Sequence, residues 1–167
     1  IIPALNIVGV GFEEKKMYLP QLLMSAEAAK SAFEVIKQQL AGKEKTAGKA
    51  VFVIATVKGD IHDIGKNIVK LLLENYGYDV VDLGKDVPPE TVVEKVIELH
   101  APFAGLSALM TTTVPAMEET IKLIKEKAPW CKTVVGGAVL TQEYADRIGA
   151  DKYAKDAMEA VRYAETY

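Results

Sequence analysis

From residue 50 onward, short apolar segments alternate with segments of helical period, and this alternation constrains the fold more than any other feature. Residues 50–57, AVFVIATV, are apolar and largely β-branched, as expected of a strand buried on both faces. Four more such segments follow, each preceded by a helical pattern, which is typical of an α/β fold with a doubly wound, five-stranded parallel sheet. The predicted strands are 50–57, 78–83, 103–109, 133–135 and 152–154, and the predicted helices are 65–75, 88–100, 114–127, 141–148 and 157–167.

The first 41 residues have a different pattern. Apolar residues recur every three or four positions from Ile1 to Phe12 and again from Leu22 to Leu40, which predicts two helices. Residues 42–49 are polar and contain glycine, as linkers do. We therefore expect a helical unit over 1–41, a linker over 42–49 and an α/β domain over 50–167. Because the chain begins with Ile1 and not with Met, we also expect it to be part of a longer protein.

Composition limits the classes of partner. The chain has 20 Lys and Arg against 23 Asp and Glu, a net charge of −3, and no basic stripe, which argues against nucleic acid. No apolar run approaches the 18 or so residues of a membrane span, so no membrane partner is expected. The single cysteine, Cys131, cannot form an intrachain disulfide and fits a reducing, cytoplasmic location.

The residues that follow three of the predicted strands are unusual. In open parallel sheets ligands bind at the carboxyl ends of strands, where residues 58–65, residues 107–113 and the pair Gly136-Gly137 should converge. His62 lies two residues after Asp60, and a carboxylate beside an imidazole fixes its tautomer and raises its basicity, as in metal sites. The alternative is an ordinary surface histidine, with Asp60 or Asp63 capping the next helix.

Common nucleotide and metal motifs do not account for these residues. Gly9-Val-Gly11 lacks both the third glycine and the preceding strand of a dinucleotide site, and no phosphate-binding P-loop occurs. His62, His100 and Cys131 lack the short spacing of zinc ligands. The Gly-Gly pair has no role in a receiver-type phosphorylation site.

Taken together, Asp60-x-His62-x-x-Gly65, Ser107-x-Leu109 and Gly136-Gly137 resemble the binding signature of base-off/His-on cobalamin proteins. This family has a Rossmann-like or flavodoxin-like B12-binding fold. Residues 11–23, GFEEKKMYLPQLL, resemble the second half of the four-helix cap of its methyl-transferring members. The resemblance is strongest to the cobalamin module of methionine synthase, and next to corrinoid proteins of methylamine and methanol methyltransferase systems.

The resemblance implies a role for each matching residue. His62 would replace the dimethylbenzimidazole of cobalamin as the lower axial ligand of cobalt, and Asp60 would hydrogen-bond its other ring nitrogen. Thr113 stands where methionine synthase has serine and would complete the relay; alternatively, it caps the helix that begins at Val114. The implied catalytic set is therefore His62, Asp60 and Thr113, and the implied cofactor is cobalamin, as methylcobalamin or another corrinoid, with His62 as metal ligand.

The same resemblance implies the remaining cofactor contacts. Gly65 and the Gly136-Gly137 pair would leave room for the displaced nucleotide tail, although turns also favour glycine. Ser107 and Thr111 would hydrogen-bond the cofactor, Leu109 would line the slot, Ala157 would make a late contact, and Phe12 and Leu19 would cover the methyl-bearing face, unless Phe12 serves only the helical core. The full set of candidate contacts is Gly59, Asp60, Ile61, His62, Asp63, Gly65, Ser107, Leu109, Thr111, Gly136, Gly137, Ala157, Phe12 and Leu19.

The resemblance thus implies a methyl carrier, with transfer to homocysteine as in methionine synthase as the first expectation. The alternatives are a free-standing corrinoid protein of a methylamine or methanol system, an adenosylcobalamin mutase subunit and a B12-dependent light sensor. Its partners would be methyl-donor and methyl-acceptor domains or subunits and a reductive activation partner. Because two helices form only half a bundle, we expect a homodimer through them, a disordered N-terminus or collapse of the cap onto the vacant site.

Overall fold

A computed structural model of the chain describes residues 2–40 and 49–167, which form two compact units, Ile1–Glu44 and Lys45–Tyr167. Of the predicted linker, residues 42–48 lie outside the described part, and Lys49 forms an ion pair with Glu165 at 2.6 Å. The side chains of Phe12 and Leu19 also lie outside the description. In the described ranges no helix is both long and apolar enough to cross a membrane.

The first unit contains the two predicted helices, α1 (Ile2–Glu13) and α2 (Leu19–Leu40). The Gln21 side chain accepts a hydrogen bond from the Tyr18 amide at 2.8 Å, which satisfies one donor at the start of α2. Ala29 is buried, whereas Ile7 and Met24 are exposed. The helices therefore pair through part of their apolar surface and leave other apolar side chains uncovered.

The second unit is the predicted doubly wound parallel sheet. Its strands are all parallel and lie in the order β2 (Asp79–Asp82), β1 (Val51–Thr56), β3 (Phe103–Ser107), β4 (Lys132–Gly136) and β5 (Lys152–Tyr153). Successive residues of β1 point to opposite faces, so that Phe52 and Ile54 enter one apolar core while Val53 and Ala55 enter the other. The elements are β1 (Val51–Thr56), α3 (Ile64–Asn75), β2 (Asp79–Asp82), α4 (Pro89–Glu98), β3 (Phe103–Ser107), α5 (Val114–Lys127), β4 (Lys132–Gly136), α6 (Gln142–Arg147), β5 (Lys152–Tyr153) and α7 (Ala157–Ala164).

The last helix, predicted over 157–167, ends at Ala164, and two further elements end two residues earlier than the sequence pattern suggests. The strand predicted to reach Leu109 ends at Ser107, because the Leu109 amide donates to the Asp60 carboxylate and no longer follows the sheet. The helix predicted to reach His100 ends at Glu98, because His100 adopts a left-handed conformation with φ of 46°. Apolar periodicity continues past both ends, so it does not show where the backbone turns.

The strand order places a crevice beside β1. From β1 the chain crosses to β2 on one side, while β3 pairs with β1 on the other, so β1 and β3 flank the topological switch point. The Val57 amide donates to the Ser107 carbonyl at 3.1 Å and extends this pairing past the strand ends. The loops that follow β1 and β3 therefore leave the sheet side by side, in the position where such folds bind ligands.

Gly137 holds the loops after β3 and β4 together. Its φ is +140°, and a Cβ at this position would lie 1.8 Å from the Ala108 carbonyl oxygen. The Ala108 amide in turn donates to the Gly136 carbonyl at 3.2 Å. The glycine is therefore required by backbone packing, whatever else it contacts.

We expect Gly137→Ala to lower the free energy of unfolding by about 2–4 kcal/mol, because the backbone must move to admit the methyl group. Gly65→Ala is the matched control, since a Cβ there meets no heavy atom within 4 Å. It should change stability by less than about 1 kcal/mol, in the stabilising direction, because alanine favours helix. Urea unfolding measures both, and equal midpoints for the two variants would contradict this account.

Candidate functional site

The site is built around the buried carboxylate of Asp60. Oδ1 accepts hydrogen bonds from the backbone amide of His62 at 3.0 Å and from its Nδ1 at 2.7 Å. Oδ2 accepts from the amides of Leu109 and Met110 at 2.7 and 3.3 Å and from the Thr113 hydroxyl at 2.9 Å. Burial alone would raise the pKa of Asp60, but the hydrogen bonds from His62, Leu109 and Thr113 outweigh it and hold the pKa well below its ordinary value. The carboxylate is therefore ionised at neutral pH.

The His62 imidazole is held in one orientation by this carboxylate. Because an ionised carboxylate only accepts, Nδ1 must carry the proton in the 2.7 Å contact, and the lone pair of a neutral ring then lies on Nε2. The imidazole is 47% exposed, whereas the Asp60 side chain has no exposed surface. The backbone is also fixed, because the buried Thr56 hydroxyl donates to the His62 carbonyl at 3.2 Å. This arrangement presents one basic nitrogen at a partly open surface, as a metal-ligating histidine requires.

The structure distinguishes between the two interpretations of Thr113. Thr113 occupies the N-cap position of α5, but its side chain makes no capping hydrogen bond. Its hydroxyl instead contacts Asp60, and also lies 2.9 Å from the Met110 carbonyl. Asp63 likewise precedes α3 without capping it. The Thr113 hydroxyl is therefore directed to the Asp60 carboxylate and not to the end of the helix.

Apolar side chains and open space lie around residues 59–65, the loop that carries His62. Ile61 is 64% exposed, and Ile64 and Leu109 are also exposed. Gly65, in the first turn of α3, has no heavy atom within 4 Å of the position that a Cβ would take, so packing does not explain the glycine. Exposed apolar side chains beside an open glycine are what a large, partly apolar ligand requires.

The other predicted site residues lie on neighbouring strand ends. Ser107 pairs with Gly136 in the register of β3 and β4, and Thr111 is exposed in the loop after β3. Ala157 begins α7 beyond β5, two strands away from β3. The structure thus brings the segments 59–65, 107–113 and 136–137 to one edge and places Ala157 further along it.

Sequence reasoning missed two groups that support the loop. The Lys66 side chain is only 4% exposed and pairs with Asp82 at the end of β2, with Nζ 2.6 Å from Oδ1. Lys66, Lys70 and Leu73 follow helical spacing toward the sheet, so two lysines in an apolar stripe were an available signal for a buried partner. The second group is Asp86, whose carboxylate accepts from the Gly59 amide at 2.7 Å. No local pattern reveals this contact, because the partners lie 27 residues apart.

The metal-ligating side chains of the site fit a metal that is already bound within a cofactor. Within residues 2–40 and 49–167, no group of three or more His, Cys, Asp or Glu side chains is arranged to hold an ion. His62 can supply one nitrogen, which is sufficient for a metal whose other positions are filled by a macrocycle.

Two family profiles, each described as a B12 binding domain, match residues 50–162 and residues 1–37. Dimethylamine corrinoid protein 1 of Methanosarcina acetivorans is 45% identical over 163 residues, which cover 96% of this chain and 76% of the relative.

Two solved structures are also similar. The monomethylamine corrinoid protein of Methanosarcina barkeri matches with a TM-score of 0.82 and 36% identity, over 96% of this chain and 76% of that protein. A chain of the methanol:cobalamin methyltransferase complex MtaBC of Methanosarcina barkeri matches with a TM-score of 0.69 and 34% identity, over 97% of this chain and 62% of that chain.

We expect Thr113→Val to lower the free energy of unfolding by about 1–3 kcal/mol, because Asp60 loses a donor while the side-chain shape is kept. Thr113→Ser, which keeps the hydroxyl, should lose less. The folded-state pKa of Asp60 lies below its ordinary value of 3.8, so the stability that its ionised form contributes is present above about pH 4 and is lost as pH falls. The deficit of the valine variant should therefore be full at pH 7 and shrink below pH 4. Denaturant titrations across pH measure this, and a deficit independent of pH would contradict it.

Proposed function

The chain belongs to the B12-binding domain family, and we propose that it is a corrinoid protein that carries a methyl group in a methylamine or methanol methyltransferase system. The observation that carries this proposal is the contact between His62 Nδ1 and the buried Asp60 carboxylate, which leaves Nε2 as the metal ligand. The relatives support this alternative better than methyl transfer to homocysteine of the methionine synthase type. They also favour methyl transfer over radical rearrangement or light sensing, since their names refer to methylamines and methanol.

A bound corrinoid would supply cobalt, whose chemistry includes accepting and donating a methyl group. The residues of this chain would bind and orient that cofactor. His62 would ligate the cobalt through Nε2. Asp60 and Thr113 hold its ring from the other side, and the ionised carboxylate stabilises a proton on Nδ1 when the metal withdraws electron density from the ring.

Asp60 and Thr113 would keep the His62 ring oriented whether or not a metal is bound. The Asp60 carboxylate is anchored by backbone amides of Leu109 and Met110, so it remains in place whether or not the imidazole moves. We propose that Asp60 and Thr113 thereby hold His62 in the position from which it would ligate the cobalt.

The proposed space for the nucleotide tail lies beside Gly65. The first turn of α3 is open there, and the exposed side chains of Ile61, Ile64 and Leu109 provide apolar contact area. Residues 50–167 form the proposed binding domain. Residues 1–41 form the proposed partial cap, with Phe12 and Leu19 as its contacts, and association of two chains through these helices stays a prediction.

The partners that this proposal requires are a protein that delivers the methyl group, a protein that removes it and a reductant for reactivation. One of the similar structures is a methanol:cobalamin methyltransferase complex, which supports a methyltransferase subunit as a partner class.

The proposal is tested by adding hydroxocobalamin to the protein, desalting, reducing the bound cobalt to the Co(II) state and recording visible and electron paramagnetic resonance spectra. We expect stoichiometric corrinoid and a nitrogen superhyperfine splitting in the native protein that changes from a triplet to a doublet when the histidines carry 15N, because His62 Nε2 and not the dimethylbenzimidazole of the cofactor ligates the metal. His62→Ala should lose that splitting. His100→Asn, which removes the other of the two histidines, is the control. A native protein without bound corrinoid, or an identical splitting in His62→Ala, would refute the proposal.

Gly65→Leu tests the space for the tail separately from ligation. Because the position is open in the helix, the variant should fold with a stability within about 1 kcal/mol of the native chain. The leucine side chain should nevertheless fill the slot and weaken corrinoid retention at least tenfold, measured by equilibrium dialysis. Retention equal to that of the native chain would show that the ligand does not enter beside Gly65.

A further inference from the structure

The loop that carries Asp60 and His62 runs beside the loop that joins β2 to α4. The Thr56 amide donates to the Gly84 carbonyl at 2.9 Å, and the Val87 amide donates to the Thr56 carbonyl at 3.1 Å. Val57 and Val87 form an isolated parallel bridge just beyond the end of β1. The segment 84–87 thus continues the sheet edge alongside the first residues of the His62 loop.

Asp86 makes two hydrogen bonds to consecutive residues of that loop. Its amide donates to the Asp60 carbonyl at 2.9 Å, and its Oδ1 accepts from the Gly59 amide at 2.7 Å. Asp60 is therefore held through its main chain by Asp86 and through its side chain by Leu109, Met110 and Thr113. The hydrogen bond from the Asp86 amide fixes the backbone from which the Asp60 carboxylate extends.

Gly59 is restrained on two sides. It has a φ of +84°, and the Thr113 Cγ2 methyl lies 3.4 Å from the position that a Cβ on Gly59 would take. Asp86 engages its amide from the other loop. The turn that precedes Asp60 is thus enclosed by Asp86 and by the same threonine that donates to the Asp60 carboxylate.

Asp86 adopts an unfavourable conformation to make these bonds. Its φ is +56°, in the left-handed region that non-glycine residues rarely occupy and that aspartate and asparagine tolerate best. Its side chain is exposed, so burial does not explain the choice of residue. Strained residues persist where the surroundings fix them and are common beside functional sites.

We propose that Asp86 is a positioning residue for His62. By fixing the Gly59–Asp60 segment, it sets where the Asp60 carboxylate lies and hence the orientation of the imidazole that ligates the metal. This inference rests on the proposed function for its final step, whereas the contact between the loops stands on the geometry of the chain alone.

The test compares four variants of the full chain. Asp86→Asn keeps the acceptor and tolerates the left-handed conformation. Asp86→Ala removes the acceptor, and Asp86→Gly removes it while relieving backbone strain, so a folding defect in the alanine variant does not leave the question open. Lys85→Ala, at the exposed neighbouring position, is the matched control.

The first readout is amide hydrogen exchange in the protein without corrinoid. Loss of one hydrogen bond should speed exchange at Gly59 and Leu109 about three- to tenfold in Asp86→Ala and Asp86→Gly. The asparagine and Lys85 variants should exchange as the native chain does. Native exchange rates in the glycine variant would overturn the proposal.

The second readout is the fraction of bound Co(II) corrinoid whose nitrogen superhyperfine splitting changes when the histidines carry 15N. That fraction should fall at least threefold in the alanine and glycine variants and be retained in Asp86→Asn. A native fraction in Asp86→Gly would overturn the positioning role. Absence of splitting in the native protein would instead refute the proposed function, while the exchange rates would still decide whether Asp86 fixes the loop.

Discussion

An ionised carboxylate buried at the end of β1 is the constraint on which the site depends. A buried charge is costly unless its lone pairs are matched by donors, and Asp60 obtains them from His62, from the backbone after β3 and from the start of α5. These donors lie up to 53 residues from Asp60 along the chain. The carboxylate therefore ties the two loops at the switch point together, and the orientation of His62 follows from that tie.

The cost of this carboxylate explains why so many backbone groups near it depart from regular structure. β3 ends early because Leu109 and Met110 direct their amides to Asp60. The Thr113 side chain makes no N-cap hydrogen bond, because its hydroxyl donates to Asp60 Oδ2, the oxygen that also accepts from the Leu109 amide. These departures supply the donors that the buried carboxylate requires, and they give the imidazole a fixed partner.

The alternation of apolar and helical segments was sufficient to predict the sheet, because the hydrophobic pattern of each strand or helix is contained within about ten residues. The resemblance to the cobalamin-binding signature implied the contact between Asp60 and His62, which the structure contains at 2.7 Å. The partners of Asp86 and Lys66 were not predictable, because those contacts depend on which loops the strand order places together. Gly65 and Gly137 looked equivalent in sequence, yet one faces open space and the other packs against the Ala108 carbonyl. The motif residues do not distinguish methionine synthase from methylamine systems. Similarity over 96% of the chain favours the methylamine systems.

Asp60 holds the proton of His62 on Nδ1 and so leaves Nε2 available to ligate a metal. Long-range nitrogen–proton NMR of the chain without corrinoid, with His62→Ala used to assign the signal, measures this directly at a pH where the ring is neutral. The account predicts that His62 is in the Nδ1-protonated tautomer, with Nε2 showing the shift of an unprotonated nitrogen. A proton on Nε2, with Nδ1 unprotonated, would contradict it.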